Sequence, residues 1–211
     1  ACATKMTKLA KDNPDAEDIY WALQKDLSDT YFCNFSIFQS LPDSWAVQQV
    51  FPLLPIHRLN EQPDQRATIA DLTCDSDGKI DNFIDPDTGK SQGYLEVHEI
   101  RENEPYYMAA FLAGAYQEIL GDLHNLFGDT DTVHITINPD GSYHVDHALV
   151  GDSVSEVLSY LDFNRLEMVE RLRRATEQSI VKGGLTHSEA KVLMKHYEEG
   201  LSGYTYLEDP E

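Results

Sequence analysis

Cysteine is scarce in this chain, and so is positive charge. Cys2, Cys33 and Cys74 are the three cysteines of 211 residues, and no two of them form a CxxC pair. Such an odd, sparse set excludes a disulfide framework and a cysteine-rich zinc site, and it points to a reducing compartment, the cytoplasm. Lys and Arg number 16 against 37 Asp and Glu, a formal charge of −21. That balance argues against nucleic acid and against anionic membrane surfaces, whose phosphates repel it. It suits cationic substrates or partners, and it equally suits a surface that does no more than keep the protein in solution. No apolar run approaches the roughly 18 residues needed to cross a bilayer. No signal-peptide pattern, internal repeat or low-complexity tract is found.

What is present suits a folded chain. Hydrophobic residues make up 41% and aromatic residues 10%, enough to build the core of one large domain or two small ones. Asn13-Pro14 reads as a helix start, with Ala16, Ile19, Tyr20, Leu23 and Leu27 on one face. Residues 1–30 are therefore expected to be a helical segment, the end of a larger helical region. Residues 31–150 read as a β domain, with strands at 31–38, 67–73, 94–100, 106–112, 133–137 and 143–150. Asn138-Pro139-Asp140-Gly141 turns the last pair into a hairpin. One helix interrupts them, its stripe formed by Tyr116, Ile119, Leu120, Leu123, Leu126 and Phe127, with Gly128 to end it. Residues 151–211 read as helical. Capping boxes at Ser153–Glu156 and Thr186–Glu189 flank a stripe of Leu166, Val169, Leu172, Thr176 and Ile180, and Gly183-Gly184 breaks the chain between two helices. The expected fold class is mainly β, with α-helical segments at both ends and no (β/α)8 barrel.

The stretch Asp71-Leu-Thr-Cys-Asp-Ser-Asp-Gly-Lys-Ile-Asp81 carries the most chemistry. It sets a thiol, carboxylates and a glycine where a strand gives way to a loop, a common place for functional groups. Three readings of it stand. Asp75, Asp77, Gly78 and Ile80 match the interior of a calcium-binding EF-hand loop, but Thr73 and Ile84 fall where its first and twelfth ligands belong. Cys74 could be a nucleophile paired with His57, His98 or His124, although no signature surrounds it. The third reading is a plain turn with a buried cysteine.

Thr73-Cys74-Asp75-Ser76-Asp77-Gly78 also resembles the Cys-Asp motif of the alanine-racemase-fold (fold III) decarboxylases. Tyr31-Phe-Cys-Asn-Phe-Ser-Ile-Phe-Gln-Ser-Leu-Pro-Asp-Ser-Trp45 is similar to the segment that opens the β domain of biosynthetic arginine decarboxylases, and Phe51-Pro-Leu-Leu-Pro-Ile-His-Arg-Leu59 continues it. The run from Gly114-Ala-Tyr116 to Asp129 and the closing Gly200-Leu-Ser-Gly-Tyr-Thr-Tyr-Leu-Glu-Asp209 resemble further segments of that family. Together they cover 31–209.

The resemblance implies the C-terminal part of a pyridoxal-phosphate-dependent decarboxylase that converts L-arginine to agmatine and CO2 for putrescine and spermidine synthesis. The cofactor lysine would lie in an N-terminal barrel, because none of the nine lysines here sits in a matching segment. That barrel part and a homodimer or higher oligomer with shared sites are the implied partners. Magnesium is an additional candidate cofactor. By the same resemblance, Cys74 takes the role of guiding protonation at the reacting carbon, a task for which a thiol is suited. Asp75 matches the aspartate that binds the distal cation of the substrate, with Asp77 and Asp43 as further substrate-site candidates. Asp77 could equally hold the turn, and Asp43 could equally cap a helix near Trp45. Tyr116 matches the tyrosine that contacts the cofactor phosphate, against a core tyrosine as the plain alternative. Other functions remain open: a fold III decarboxylase for ornithine, lysine or diaminopimelate, a non-catalytic fragment, or a calcium-binding module.

Overall fold

The computed structural model describes residues 5, 6, 9, 17–85 and 88–208. The cap expected at Asn13-Pro14 lies outside them. The chain divides into two compact units, 1–122 and 123–211.

From Glu17 on, the first unit holds α1 (Glu17–Asp26), followed by β1 (Asp29–Phe32) and two short helices, α2 (Ile37–Ser40) and α3 (Pro42–Ala46). Then come β2 (Leu53–Pro55), β3 (Gln65–Ala70), β4 (Lys79–Ile80), β5 (Phe83–Ile84), β6 (Ser91–Gln92), β7 (Leu95–Val97), β8 (Met108–Ala110) and α4 (Ala115–Ile119). The central strand is β3. It runs parallel to β1 (Asp29↔Ala67 to Phe32↔Ala70) and antiparallel to both β7 and β4. Strict alternation along it turns Ala67 and Ile69 inward, the period-two pattern of a strand with one buried face. They meet Ile37, Phe38, Leu41, Phe51, Ile80, Phe83, Leu95 and Val97 in one apolar cluster. Small two-stranded pairs, β2 with β8 and β5 with β6, complete the unit. The architecture is mainly β with added helices, and no (β/α)8 barrel occurs among the described residues.

The strands expected over 67–73, 94–100 and 106–112 form as the shorter Gln65–Ala70, Leu95–Val97 and Met108–Ala110, and two expected elements differ further. The strand expected over 31–38 stops at Phe32, and the chain turns into α2 at Ile37. Ser36 caps that turn by accepting from Gln39 N at 3.3 Å, and Asp71 Oδ2 accepts the Ile37 N–H at 2.9 Å. A distant carboxylate thereby satisfies an amide that a strand would have used otherwise. The single helix expected from Tyr116 to Phe127 is broken. α4 ends at Ile119, and only a 3-10 turn, His124–Leu126, follows, with positive φ at Asn125 and Leu126. The break serves packing. A Cβ on Gly121 would lie 2.7 Å from the Gln39 carbonyl oxygen, and Asp122 N donates to Phe38 O.

The second unit holds the hairpin β9 (Thr132–Ile137) and β10 (Tyr143–Leu149), then α5 (Val154–Ser159), α6 (Arg165–Val181) and α7 (His187–Ser202). The hairpin strands pair with each other as a two-stranded sheet. The division at 122/123 accordingly falls inside the stretch 31–150 read from sequence as one β domain. The Asn138 turn is as expected, with Gly141 at φ 84°. Both capping boxes form, Ser153 with Glu156 and Thr186 with Glu189. The α6 stripe is shallower than its spacing suggests, since only Thr176 of that helix is buried and Leu166 is exposed. The core of this unit is instead Val157, Ala190, Leu201 and Tyr206. The closing Gly-Tyr-Thr-Tyr segment folds back on the unit's start. Tyr206 Oη donates to Gly128 O at 2.8 Å, Gly128 N donates to Thr205 Oγ1 at 3.0 Å, and Ser153 bridges to Tyr204.

The cap carboxylates give this unit a defined acid response. Backbone and hydroxyl donors of Ser153 and Thr186 hold Glu156 and Glu189 below the usual glutamate range. A depressed folded value means that stability is present above the unfolded value of about 4.5 and is lost as the pH falls through the folded values. Helical circular dichroism is therefore expected to decline below pH 4.5. A Glu156→Gln/Glu189→Gln variant, which keeps the cap geometry without the charge, should show a flatter acid limb. An identical limb would show that these caps do not contribute.

Candidate active site

The Cys-Asp segment is the connection between antiparallel β3 and β4. Past Ala70 the ladder continues through the loop's own backbone: Cys33 N donates to Ala70 O at 2.8 Å, Leu72 N to Phe35 O at 3.1 Å, and Asp71 N to Gly78 O at 2.9 Å. Asp71, 2% exposed, is the anchor. Its Oδ1 accepts from Thr73 N at 2.9 Å and from Thr73 Oγ1 at 2.8 Å, while its Oδ2 takes the Ile37 amide. Three donors on one buried carboxylate offset the cost of removing it from water. Gly78 closes the loop where only glycine fits. A Cβ there would lie 2.5 Å from Thr73 Oγ1 and 2.9 Å from Asp71 Cγ.

On this rigid base Cys74, Asp75, Ser76 and Asp77 all face solvent. Cys74 is an exposed thiol, neither it nor Cys33 lies in a disulfide, and burial pushes the Cys33 thiol above its ordinary value. Asp75 Oδ1 accepts the Asp77 N–H at 2.9 Å, an Asx turn that fixes the Asp75 rotamer. Asp77 thus supplies a backbone amide that holds the turn. Beside the loop lies a cleft of about 400 Å³. Asp26, Asp71, Asp75 and Asp81 line it against Lys25 and Lys79, and both lysines pair with Asp81, at 2.8 and 3.6 Å. Burial draws the Asp81 carboxyl upward, but the Lys25 hydrogen bond and the charges of both lysines outweigh it and hold the group below the ordinary aspartate range.

Asp43 and Tyr116 fall into a second group. Asp43 stands in the first turn of α3, where Leu41 is the cap residue. Its N–H donates to Gln117 Oε1 at 3.0 Å, and its Oδ2 accepts from Gln117 Nε2 at 2.6 Å. Gln117 is buried, while its neighbour Tyr116 is 75% exposed. Asp43 therefore holds α4 at the point where Tyr116 projects outward. The cleft lining includes neither Asp43 nor Tyr116.

Two of the three histidines weighed as partners of Cys74, His98 and His57, have other engagements. His98 Nε2 bonds the Glu61 carbonyl at 3.0 Å, and since a carbonyl only accepts, Nε2 carries the proton and Nδ1 accepts from Tyr106 Oη at 2.8 Å. His57 stacks on Tyr107 and faces Glu104 at 3.5 Å. Among the described residues no three His, Cys, Asp or Glu side chains converge into a cation site. Asp71 and Gly78 were visible in sequence as part of the motif stretch. Their bracing role was not, because it depends on Ile37, 34 positions away.

The first unit is β-rich and presents a thiol and a carboxylate outward from a braced strand-end loop, and the second carries a hairpin and the helices α5, α6 and α7. Residues 154–207 match the arginine decarboxylase C-terminal helical extension. The chain is 52% identical to the biosynthetic arginine decarboxylase of Gloeobacter violaceus over 98% of its own length and 32% of that protein's. It is 49% identical to that of Bacteroides thetaiotaomicron over 97% of this chain and 32% of the relative. The crystal structure of the biosynthetic arginine decarboxylase of Campylobacter jejuni superposes with a TM-score of 0.74 at 32% identity, covering 94% of this chain and 34% of that one. The chain thus spans about a third of the relatives it matches, and what it matches is a C-terminal portion of biosynthetic arginine decarboxylases.

Proposed function

We propose that this chain completes the active site of a pyridoxal-phosphate-dependent arginine decarboxylase that forms agmatine and CO2 in the cytoplasm. The cofactor lysine would reside in a barrel part outside these residues. The observation that carries the reading is the outward presentation of Cys74 and Asp75 from a loop whose base is rigidly held. A site facing out of its own unit suits a partner subunit, hence a homodimer or larger assembly with shared centres.

The residues present fit one edge of the cofactor. Tyr116 holds its phenol largely in solvent and can donate to a phosphate oxygen. When bound, pyridoxal phosphate supplies the electron sink that lets CO2 leave. Cys74 then delivers its S–H proton to the α-carbon, and the thiolate recovers a proton from solvent. Asp75, its rotamer set by the Asp77 amide, accepts two parallel hydrogen bonds from a planar guanidinium. The cleft beside it carries more carboxylates than ammonium groups, a field that favours a cationic substrate.

The test is agmatine and CO2 release from labelled arginine by this chain joined to its cofactor-bearing remainder. Absence of both products with the cofactor bound would end the proposal. In that enzyme Asp75→Asn should raise the KM for arginine roughly 10- to 100-fold through loss of a charged hydrogen-bond pair. An unchanged KM would remove Asp75 from the substrate site. Substrate profiling with ornithine, lysine and diaminopimelate tests the arginine preference.

A further inference from the structure

We propose that Asp71 is a positioning residue for the Cys74–Asp75 pair, a role that rests on the reading just given and that adds to it a buried side chain whose oxygens are taken up by donors of the chain itself. Three hydrogens converge on its carboxylate: the Ile37 amide on Oδ2, and the Thr73 amide and hydroxyl on Oδ1. All three contacts call for an acceptor. An ionised carboxylate is acceptor-only, whereas an asparagine of the same shape must place an NH2 donor against at least one of these hydrogens. The group is 2% exposed, so water cannot take over a lost contact.

The geometry couples two elements that are remote in sequence. Ile37 opens α2, in the stretch that leaves β1, while Thr73 immediately precedes Cys74. Gly78, at the far end of the loop, donates its N–H to Asp75 O at 3.1 Å and accepts from Asp71 N at 2.9 Å. The near end of the loop is therefore tied to the Asp71 carboxylate through Thr73, and the far end to the Asp71 backbone through Gly78. Cys74 and Asp75 take their direction from a loop that closes on this one residue. Since a misplacement of about 1 Å at a reacting group can cost around a hundredfold in rate, loosening this brace should be read in turnover before it is read in stability.

The experiment uses the complete decarboxylase with Asp71→Asn, Thr73→Val and Thr73→Ser. Asp71→Asn is expected to lower kcat for arginine at least 10-fold. It should speed amide hydrogen exchange across 72–78 at least 10-fold, with exchange in β3 unchanged. Thr73→Val, which removes one donor, should move both readouts in the same direction by less. Thr73→Ser, which restores the hydroxyl, should return both to wild type. Wild-type exchange across 72–78 in a folded Asp71→Asn protein overturns the proposal, whether or not turnover falls, and so does wild-type kcat with a loosened loop. If Asp71→Asn does not fold, the Thr73 pair decides by the same criteria. Should Cys74→Ala retain wild-type turnover, the catalytic reading fails, and the exchange data still judge the brace.

Discussion

Replacing Cys74 by alanine in the complete enzyme is expected to slow agmatine formation about 10²- to 10⁴-fold, the range contributed by a positioned proton donor, while the KM for arginine moves less than about twofold. The asymmetry follows from where the thiol stands. It faces outward from a braced loop, and under the proposed function it acts on a carbon after CO2 has left, so that it contributes to a step and little to ground-state binding. Cys74→Ser keeps an O–H of lower acidity and should fall between the two. Steady-state kinetics on the three proteins settle the matter. A Cys74→Ala enzyme with kcat within threefold of wild type would show that another group delivers the proton.

Gly78→Ala is expected to destabilise the first unit by about 1–3 kcal/mol, the usual cost of forcing extra volume into a packed site. The new methyl group meets Thr73 Oγ1 at 2.5 Å and Asp71 Cγ at 2.9 Å, and both belong to short side chains already engaged in the brace. Relief requires separating Asp71 from Thr73, which leaves a buried carboxylate short of donors. Denaturant unfolding of the 211-residue chain reads the first effect, and loss of turnover in the complete enzyme reads the second. A Gly78→Ala chain as stable as wild type would show that the loop can open at no cost.

The parts of this molecule set by local pattern were legible in sequence. The Asn138 turn and the two S/T-x-x-E boxes each encode an element within a few residues and form where expected, while the strand expected over 67–73 forms as Gln65–Ala70 and gives way to the loop at Asp71. The features that were not legible depend on distant partners. Ile37 leaves the strand because Asp71 takes its amide. The stripe from Tyr116 to Phe127 cannot run as one helix because Gly121 must approach the Gln39 backbone. The apolar residues of that stripe, Tyr116, Ile119 and Leu120, are exposed, so helical spacing was a poor guide to burial there. For the candidate site, motif resemblance selected Cys74, Asp75, Asp77, Asp43 and Tyr116. The fold groups the first three on one loop and ties Asp43 to the helix of Tyr116 through Gln117. Asp71 went without a role because its meaning lies in three hydrogens that no local pattern reveals.

The fold-back of Tyr204, Thr205 and Tyr206 bears on the order in which the chain matures. Their partners, Gly128 and Asp131, precede them by more than seventy positions. On the ribosome, α5, α6 and most of α7 emerge before the residues that seal them together exist. The helical half must therefore wait, incompletely closed, until residue 206 has been made, while the Cys-Asp loop and the strands that hold it are free to settle much earlier in synthesis.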